Sequence, residues 1–442
     1  MKALILLYGF LIIEILGGGV SAAYNFNVDE LAKMRGFLLQ ESAEPGIKNY
    51  EQLGIESMDD DSWVSHSGLK WNVALPVVLL ERVVWVNSKL SGHMDFSDFA
   101  GLKELWCSFN KIKTVNVHNA LELTRFDFYS NDLMEFDVTT NFRLNYIRIG
   151  LNNVPSVDVS NNPLLKFFCC RSNQLEVLDV SGNESLAELY CGDNRLHTLL
   201  VDNCTGLKIL SCDLNHHIES LNLKNLPSID SVSCNGNRLK ELLFNDCSSL
   251  LNLNCSDNEL DSIDLSTLEN LTELNCSKNE LTSLNLEGCP NLTSLHCDHN
   301  LLYSLDITSN PLLSTLSCSQ NNLTFFSLPP PTEILTAWTT YSYIPQNHIT
   351  IECNYNDIDF SEFYYIKNHI STYTWSSLYS TAPITPLSSR EGRFAFDESY
   401  IGKTLICRVL NDVFPGLQLR YYVTFSDDVR NEKPGDNKTA VR

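Results

Sequence analysis

An asparagine recurs along this chain at positions 110, 131, 152, 173, 194, 215, 237, 258, 279, 300 and 321. Nine of the ten intervals are 21 residues and one, from Asn215 to Asn237, is 22. The same frame surrounds each, as in Leu102-x-x-Leu105-x-Cys107-x-x-Asn110-x-Ile112-x-x-Val115-x-Val117. A register kept eleven times within 442 residues constrains the fold more than any other feature. A unit of this length cannot bury an apolar face alone and must stack on its neighbours. The extra residue of the long interval falls at Asn215-His216-His217-Ile218, ahead of the expected apolar position.

Each position in the frame has a physical reason. The two leucines and the cysteine alternate inward along a short strand. The asparagine ends that strand, and its amide can bond backbone groups in its own coil and the next. The following apolar positions, such as Leu260, Ile263 and Leu265, supply the opposite wall, and Ser160-Asn161-Asn162-Pro163 or Ser309-Asn310-Pro311 turn the chain back. The expectation is a leucine-rich repeat solenoid of short parallel strands, eleven repeats over residues 102–331.

The fifteen cysteines first suggest a disulfide scaffold with one thiol over. Nine of them, however, occupy one slot: Cys107, Cys170, Cys191, Cys212, Cys234, Cys255, Cys276, Cys297 and Cys318, with Phe128 and Ile149 in the other two repeats. Replacement by Phe and Ile marks a buried apolar slot, in which cysteine acts as a small hydrophobe. Cys204, Cys247 and Cys289 share a second slot with Asn162, Asn183 and Asn310. Stacked coils bring ladder cysteines to about 4.8 Å, within disulfide range, but parallel side chains give a poor torsion. Free thiols are expected, at least twelve of them, and a zinc site is not, since a 21-residue ladder lacks convergent local ligands.

The frame, the cysteine ladder and the 21-residue period resemble the bacterial internalins, in particular their cysteine-ladder type. The match covers about residues 102–328. Phe128, Ile149, the 22-residue repeat and the flanking regions depart from it. The resemblance implies a secreted or surface-displayed protein that binds a host or neighbouring molecule, without specifying the ligand.

The flanks read differently. Met1 and Lys2 precede an apolar run over 3–13, interrupted by Glu14, then Ile15, Leu16, three glycines and Val20-Ser21-Ala22-Ala23. This predicts a signal peptide over 1–22, cleaved after Ala22 or Ala23. It is too short and too charged for a membrane anchor, and no later stretch is apolar enough to span one, so an exported soluble product is expected. Residues 23–101 form an expected N-terminal cap, opening with a helix from Asn27 to Gln40, with Asn27 as N-cap and Glu30 three residues on. Trp63, Trp71 and Trp85 read as plugs for the open end of the solenoid. Pro329-Pro330-Pro331 ends the repeats. Short strand signals over 332–427 predict an immunoglobulin-like β-sandwich, followed by a polar tail at 428–442. The order Cys353, Trp375, Cys407 mimics an immunoglobulin core, but Cys353-x-x-Asn356-x-Ile358-x-Phe360 repeats the solenoid frame, which favours Cys353 as the last ladder thiol.

Function is sought on the strand face that points to solvent. In the early repeats it carries Glu104, Trp106, Arg125, Asp127, Tyr129, Tyr146, Arg148, Phe167, Cys169, Arg171, Glu188 and Tyr190; in the later ones Asn252, Asn254, Ser256, Asn275, Ser277, Ser294, His296 and Ser319. Aromatics and arginines carry binding energy at interfaces, so Trp106, Arg125, Tyr129, Tyr146, Arg148, Phe167, Arg171 and Tyr190 are the candidate site. Their arginines suit a carboxylate or an anionic sugar. Cys169 is the one thiol expected to face solvent. Lys plus Arg is 31 and Asp plus Glu 54, a net charge of −23, which sets the chain against nucleic acid. His296, Asp298 and His299 lack partners for a metal site. No nucleophile, base and orienter fall at a recognisable spacing. The reading is a monomeric, non-catalytic recognition protein or adhesin, without cofactor, for a protein or glycan ligand. The alternatives are a carbohydrate-active or other secreted enzyme, or a structural display spacer.

Overall fold

The computed structural model describes residues 6–7, 10–15, 22–59, 61–74, 76–329, 340–354 and 357–426. Much of the expected leader, Asn356, two of the three prolines at 329–331 and the polar tail lie outside them. Within the leader, Phe10–Ile15 is a strand antiparallel to Ala22–Asn27. The chain divides into two compact units, 1–250 and 251–442, and the repeat register builds the same parallel turn in both.

In the first unit the helix Val28–Leu38 starts where its capping residue predicts. The Asn27 side chain accepts the N–H groups of Asp29 at 3.0 Å and Glu30 at 3.3 Å. The helix stops two residues short of Gln40, with Leu39 as its C-cap. Its inner face buries Leu31, Met34, Phe37 and Leu38, and Phe37 stacks on Trp85 at 5.8 Å. Trp63 and Trp85 are fully buried, whereas Trp71 lies edge-on to Phe26 and donates to Val64 O at 2.9 Å. Glu30 is buried and accepts the N–H of Leu80 at 2.9 Å. Burial raises its carboxyl to about 7, against the opposing pull of that N–H and of Lys33.

Eight parallel strands follow in this unit: Leu79–Val84, Glu104–Trp106, Arg125–Asp127, Tyr146–Arg148, Phe167–Cys169, Glu188–Tyr190, Ile209–Ser211 and Ser231–Ser233. The stack begins a coil before residue 102. Val83 pairs with Leu105 and Val84 with Trp106, so Leu80, Val83 and Trp85 take the places of Leu102, Leu105 and Cys107. Ser88 takes that of the asparagine, its N–H bonding Asn110 Oδ1 at 3.0 Å. The frame is hidden there because Trp replaces Cys and Ser replaces Asn.

The asparagines do what the frame requires. Asn152 Nδ2 donates to Phe128 O and Ile149 O, both at 2.9 Å, and its Oδ1 accepts Leu133 N–H at 2.9 Å. Every residue that immediately precedes a frame asparagine is left-handed, from φ 54° at Leu151 to 68° at Gly236. Ten of these eleven are not glycine, although that conformation costs an L-residue about 1–2 kcal/mol. The long repeat breaks the pattern once. Asn237 still donates to Cys212 O and Cys234 O, but its Oδ1 is buried with no partner, because the inserted residue displaces the N–H it would accept.

All fifteen cysteines are free and buried. The second slot holds Asn or Cys for a specific reason. Asn183 Nδ2 donates to Val159 O at 3.1 Å, 24 residues back; Cys204 Sγ donates to Val180 O at 3.0 Å across the same interval. Either side chain gives this carbonyl a second donor beside the backbone N–H three residues on.

In the second unit the parallel strands are Asn252–Asn254, Glu273–Asn275, Ser294–His296, Thr315–Ser317 and Thr340–Ser342. The last lies beyond the prolines, and Gln346 closes it as an asparagine would, its amide donating to Cys318 O at 3.0 Å and accepting Asn321 N–H at 3.2 Å. Beyond it a five-stranded sheet orders as Ile349–Asn354, Gln418–Ser426, Thr404–Leu410, Thr372–Ser377 and Ser380–Ile384, beside a three-stranded sheet of Asp357–Asp359, Arg393–Ala395 and Ser388–Arg390. Cys353 therefore does not end the ladder: it pairs opposite Phe425 in the five-stranded sheet. Cys407 pairs opposite Tyr421 on the far side of that strand. Four positions of register and a whole strand separate the two thiols, beyond disulfide reach.

Candidate ligand-binding surface

Strand pairing sets the candidate residues in three rows across the first unit. Arg125, Tyr146 and Phe167 are neighbours in one row, and Trp106, Asp127, Arg148, Cys169 and Tyr190 in the next. Tyr129, Gly150 and Arg171 follow the strands in a third: Phe109 N–H bonds Tyr129 O and Leu151 N–H bonds Arg171 O. One-coil spacing forces like positions together, because neighbouring strands lie only about 4.8 Å apart.

The rings consolidate these rows. Tyr146 and Phe167 stack at 4.5 Å and 8°. Trp106 lies 5.9 Å from Tyr146, and Tyr190 lies 5.7 Å from Phe167. Arg125 sits over both Trp106, at 5.7 Å, and Tyr146, at 5.9 Å. Trp106 Nε1 donates to Glu104 at 2.9 Å and Tyr190 OH to Glu188 at 3.0 Å, so both carboxylates are committed to ring donors. The structure thus brings Trp106, Arg125, Tyr146, Phe167 and Tyr190 into one ribbon.

A second cluster adjoins it. The Arg148 guanidinium lies 3.9 Å from the Tyr129 ring centroid and 3.4 Å from the Asp127 carboxylate. Asp127 also accepts the Tyr129 N–H at 3.1 Å. Asp127 was expected to face solvent and is instead buried; burial pushes its carboxyl up, while Tyr129 N–H and Arg148 hold it down. Arg171 remains exposed. Cys169 corrects a second expectation. Between Arg148 and Tyr190 in its row it is buried, and burial raises its thiol.

Gly150 was not singled out from the sequence. A Cβ there would meet the Tyr129 ring at 2.8 Å and Arg171 O at 3.1 Å, so the glycine is the shelf on which Tyr129 lies. The available signal was a glycine set between two bulky neighbours, Tyr129 and Arg171, one coil to either side. Phe109, exposed and 5.7 Å from Tyr129, extends the cluster.

The outward residues of the second unit bond one another. Asp298 accepts from Ser317 Oγ, Ser319 N–H and Ser319 Oγ at 2.6–2.9 Å, and Asn275 accepts Ser277 N–H at 3.1 Å. Among the described residues no group of three His, Cys, Asp or Glu converges as metal ligands.

No family model matches the chain, and no curated protein matches it by sequence. Solved structures do. The functional domain of InlJ from Listeria monocytogenes, which includes a cysteine ladder, is similar with a TM-score of 0.50 and 21% identity over 77% of this chain and 92% of that one. The leucine-rich repeat domain of APL1B gives 0.47 and 18%, covering 75% of this chain and 94% of that one. The internalin InlF from Listeria monocytogenes gives 0.42 and 16%, over 71% and 96%. The fold is that of a leucine-rich repeat protein. Its likeness to the cysteine-ladder internalins, first read from the repeat frame, holds at the level of fold.

Proposed function

We propose that this is a non-catalytic recognition protein that binds a polypeptide ligand on the outward strand face of residues 104–190. The ring geometry carries the reading. Tyr146 is covered on its faces by Phe167 and by Arg125 with Trp106, so the ribbon presents ring edges. A pyranose needs an open ring face to stack on, whereas edges of clustered Trp, Tyr and Arg suit side chains of a protein partner. Arg148, stacked on Tyr129 and only loosely held by Asp127, is placed to take a carboxylate from that partner. Beside a glycan ligand, a protein ligand is thus the better fit.

The leader-like start supports export and display outside the cell. Among the described residues no helix is long and apolar enough to cross a membrane. The buried tryptophans of the N-terminal region support its role as a cap, and the order of the two C-terminal sheets around Trp375 supports an immunoglobulin-like module. Screening the full protein against protein and glycan arrays tests the function. Polypeptide hits that weaken by about thirtyfold in Tyr146→Ser and in Arg148→Ala are expected. Hits confined to glycans, or polypeptide hits indifferent to both substitutions, would overturn the assignment; silence on both arrays would return the molecule to a display spacer.

A further inference from the structure

Three arginines of the early coils stand on one diagonal. Arg148 pairs opposite Asp127, which lies two residues beyond Arg125. Cys169 pairs opposite Arg148, and Arg171 lies two residues beyond Cys169. Each step therefore moves one strand across and two residues along. With strands about 4.8 Å apart and about 3.3 Å per residue, a step covers about 8 Å. Two residues along a strand return to the same side of the sheet, so all three positions are outward. Arg125 and Arg171 are exposed and Arg148 is half-buried.

The charge of this line is largely uncancelled. Among the described residues neither Arg125 nor Arg171 has a carboxylate partner, and Arg148 has only the buried Asp127 at 3.4 Å. Arg125 rests on the rings of Trp106 and Tyr146, and Arg148 on that of Tyr129. A ring face holds a guanidinium in place without taking its N–H donors. Carboxylates stand to either side of the line. Glu104 pairs opposite Arg125 and Glu188 opposite Phe167, and each accepts from a ring donor of its own strand. A chain of net charge −23 thus keeps three cations in line with acids beside them. An anionic partner is drawn to the line and repelled from its flanks.

Geometry selects among anionic partners. A helix laid along the stack would meet one row, because its pitch of about 5.4 Å nearly matches the coil spacing; these arginines occupy three rows. On a helix crossing the strands, acids at i and i+4 lie about 6 Å apart, about 2 Å short at every step. In an extended chain alternate residues face one way about 6.7 Å apart, and the long arginine side chains close the remaining gap. A glycan would set hydroxyls against ring donors of Trp106 and Tyr190 already spent on Glu104 and Glu188. We propose that the partner crosses the early strands obliquely as an extended acidic segment, its carboxylates at three alternate residues taken by Arg125, Arg148 and Arg171. This rests on the polypeptide reading of the same face and gives that polypeptide its charge pattern, its conformation and its course.

Fluorescence anisotropy of labelled peptides of about twelve residues, titrated with the full-length protein, tests it. One probe carries three glutamates at alternate positions between leucine flanks, and a second has the same composition with the glutamates contiguous. A third spaces them four apart in an alanine-rich helix former, and the last probe is a sulfated oligosaccharide. The alternating peptide should bind about tenfold more tightly than either other peptide, and more weakly as salt is raised. Arg125→Ala and Arg171→Ala, both at exposed positions, should each weaken it about fivefold. Arg82 lies in the row of Arg125, two strands earlier with Glu104 between them; Arg82→Ala should leave binding within about twofold. The proposal is overturned if the acidic peptides bind alike, if Arg82→Ala costs as much as Arg171→Ala, if the oligosaccharide binds more tightly than every peptide, or if no peptide binds. Polypeptide hits on the arrays that weaken in Tyr146→Ser but not in Arg125→Ala or Arg171→Ala would overturn it alone and leave the polypeptide reading standing.

Discussion

Outward residues of the early coils include Trp106, Arg125, Tyr146, Phe167 and Tyr190; those of the late coils include Asn252, Asn254, Asn275, Ser294, His296 and Ser317. Behind these two faces the interior is the same. Asn152 bonds Phe128 O, Ile149 O and Leu133 N–H; Asn300 bonds Cys276 O, Cys297 O and Leu281 N–H at 2.9–3.1 Å. The late face closes its hydrogen bonds upon itself, through Asp298 with Ser317 and Ser319. The early face stacks rings and leaves their edges and two arginines toward solvent. The difference teaches that stacking fixes the inside of each coil and leaves the outside free to be specialised.

The interior half of that comparison carries the largest expected effect. Asn152→Ala and Asn300→Ala should each cost about 2–4 kcal/mol, since each strands one N–H in the core and takes one of two amide donors from each of two carbonyls. Asn237→Ala should cost distinctly less, because its Oδ1 already lacks a partner. Urea midpoints of the three variants decide this; equal losses at all three positions would show that the ladder bonds do not set stability.

Acidity should act on the first unit through Glu30. A carboxyl raised in the fold from 4.5 to about 7 takes up a proton on folding. Its contribution is therefore fully present below about pH 4.5 and is lost as pH rises through about 7. The shift corresponds to about 3 kcal/mol. Hydrogen exchange of the N-terminal region should report weaker protection at pH 8 than at pH 5, after correction for intrinsic rates. Glu30→Gln should flatten that dependence.

A transplant sharpens the contrast between the faces. Giving the early coils the late residue, as in Tyr146→Ser with Phe167→Ser, should remove the ring stack at a cost of about 1 kcal/mol. The reverse change Asn275→Tyr should be within about 0.5 kcal/mol of neutral. Thermal melting of both variants distinguishes a functional ribbon from one needed for folding: a collapse of the early variant would assign the rings to stability. Smallest of all, Leu151→Gly should stabilise by under about 1 kcal/mol. It relieves a left-handed residue at φ 54° but adds entropy to the unfolded chain. A loss in melting temperature would instead assign weight to the packing of the exposed leucine.

The sequence by itself determined whatever repeats. Its asparagine interval sets the register, its Phe128 and Ile149 show that the ladder slot is apolar, and its sharing of one turn between Asn183 and Cys204 marks a common donor. These are legible because each coil packs on a copy of itself, so self-similarity in the chain is itself the contact map. The outward rows were legible for the same reason, and the ribbon residues fall where period-2 alternation puts them. Tertiary structure alone decided the contacts between unlike segments, which carry no period. Trp85 and Ser88 stand in for Cys and Asn at the first coil, and Gln346 does so at the last. Cys353 leaves the ladder for a sheet strand whose partner lies some seventy residues on. Asp127 sinks beneath Arg148 although its position in the frame is outward, because a row sets direction whereas neighbouring side chains set depth.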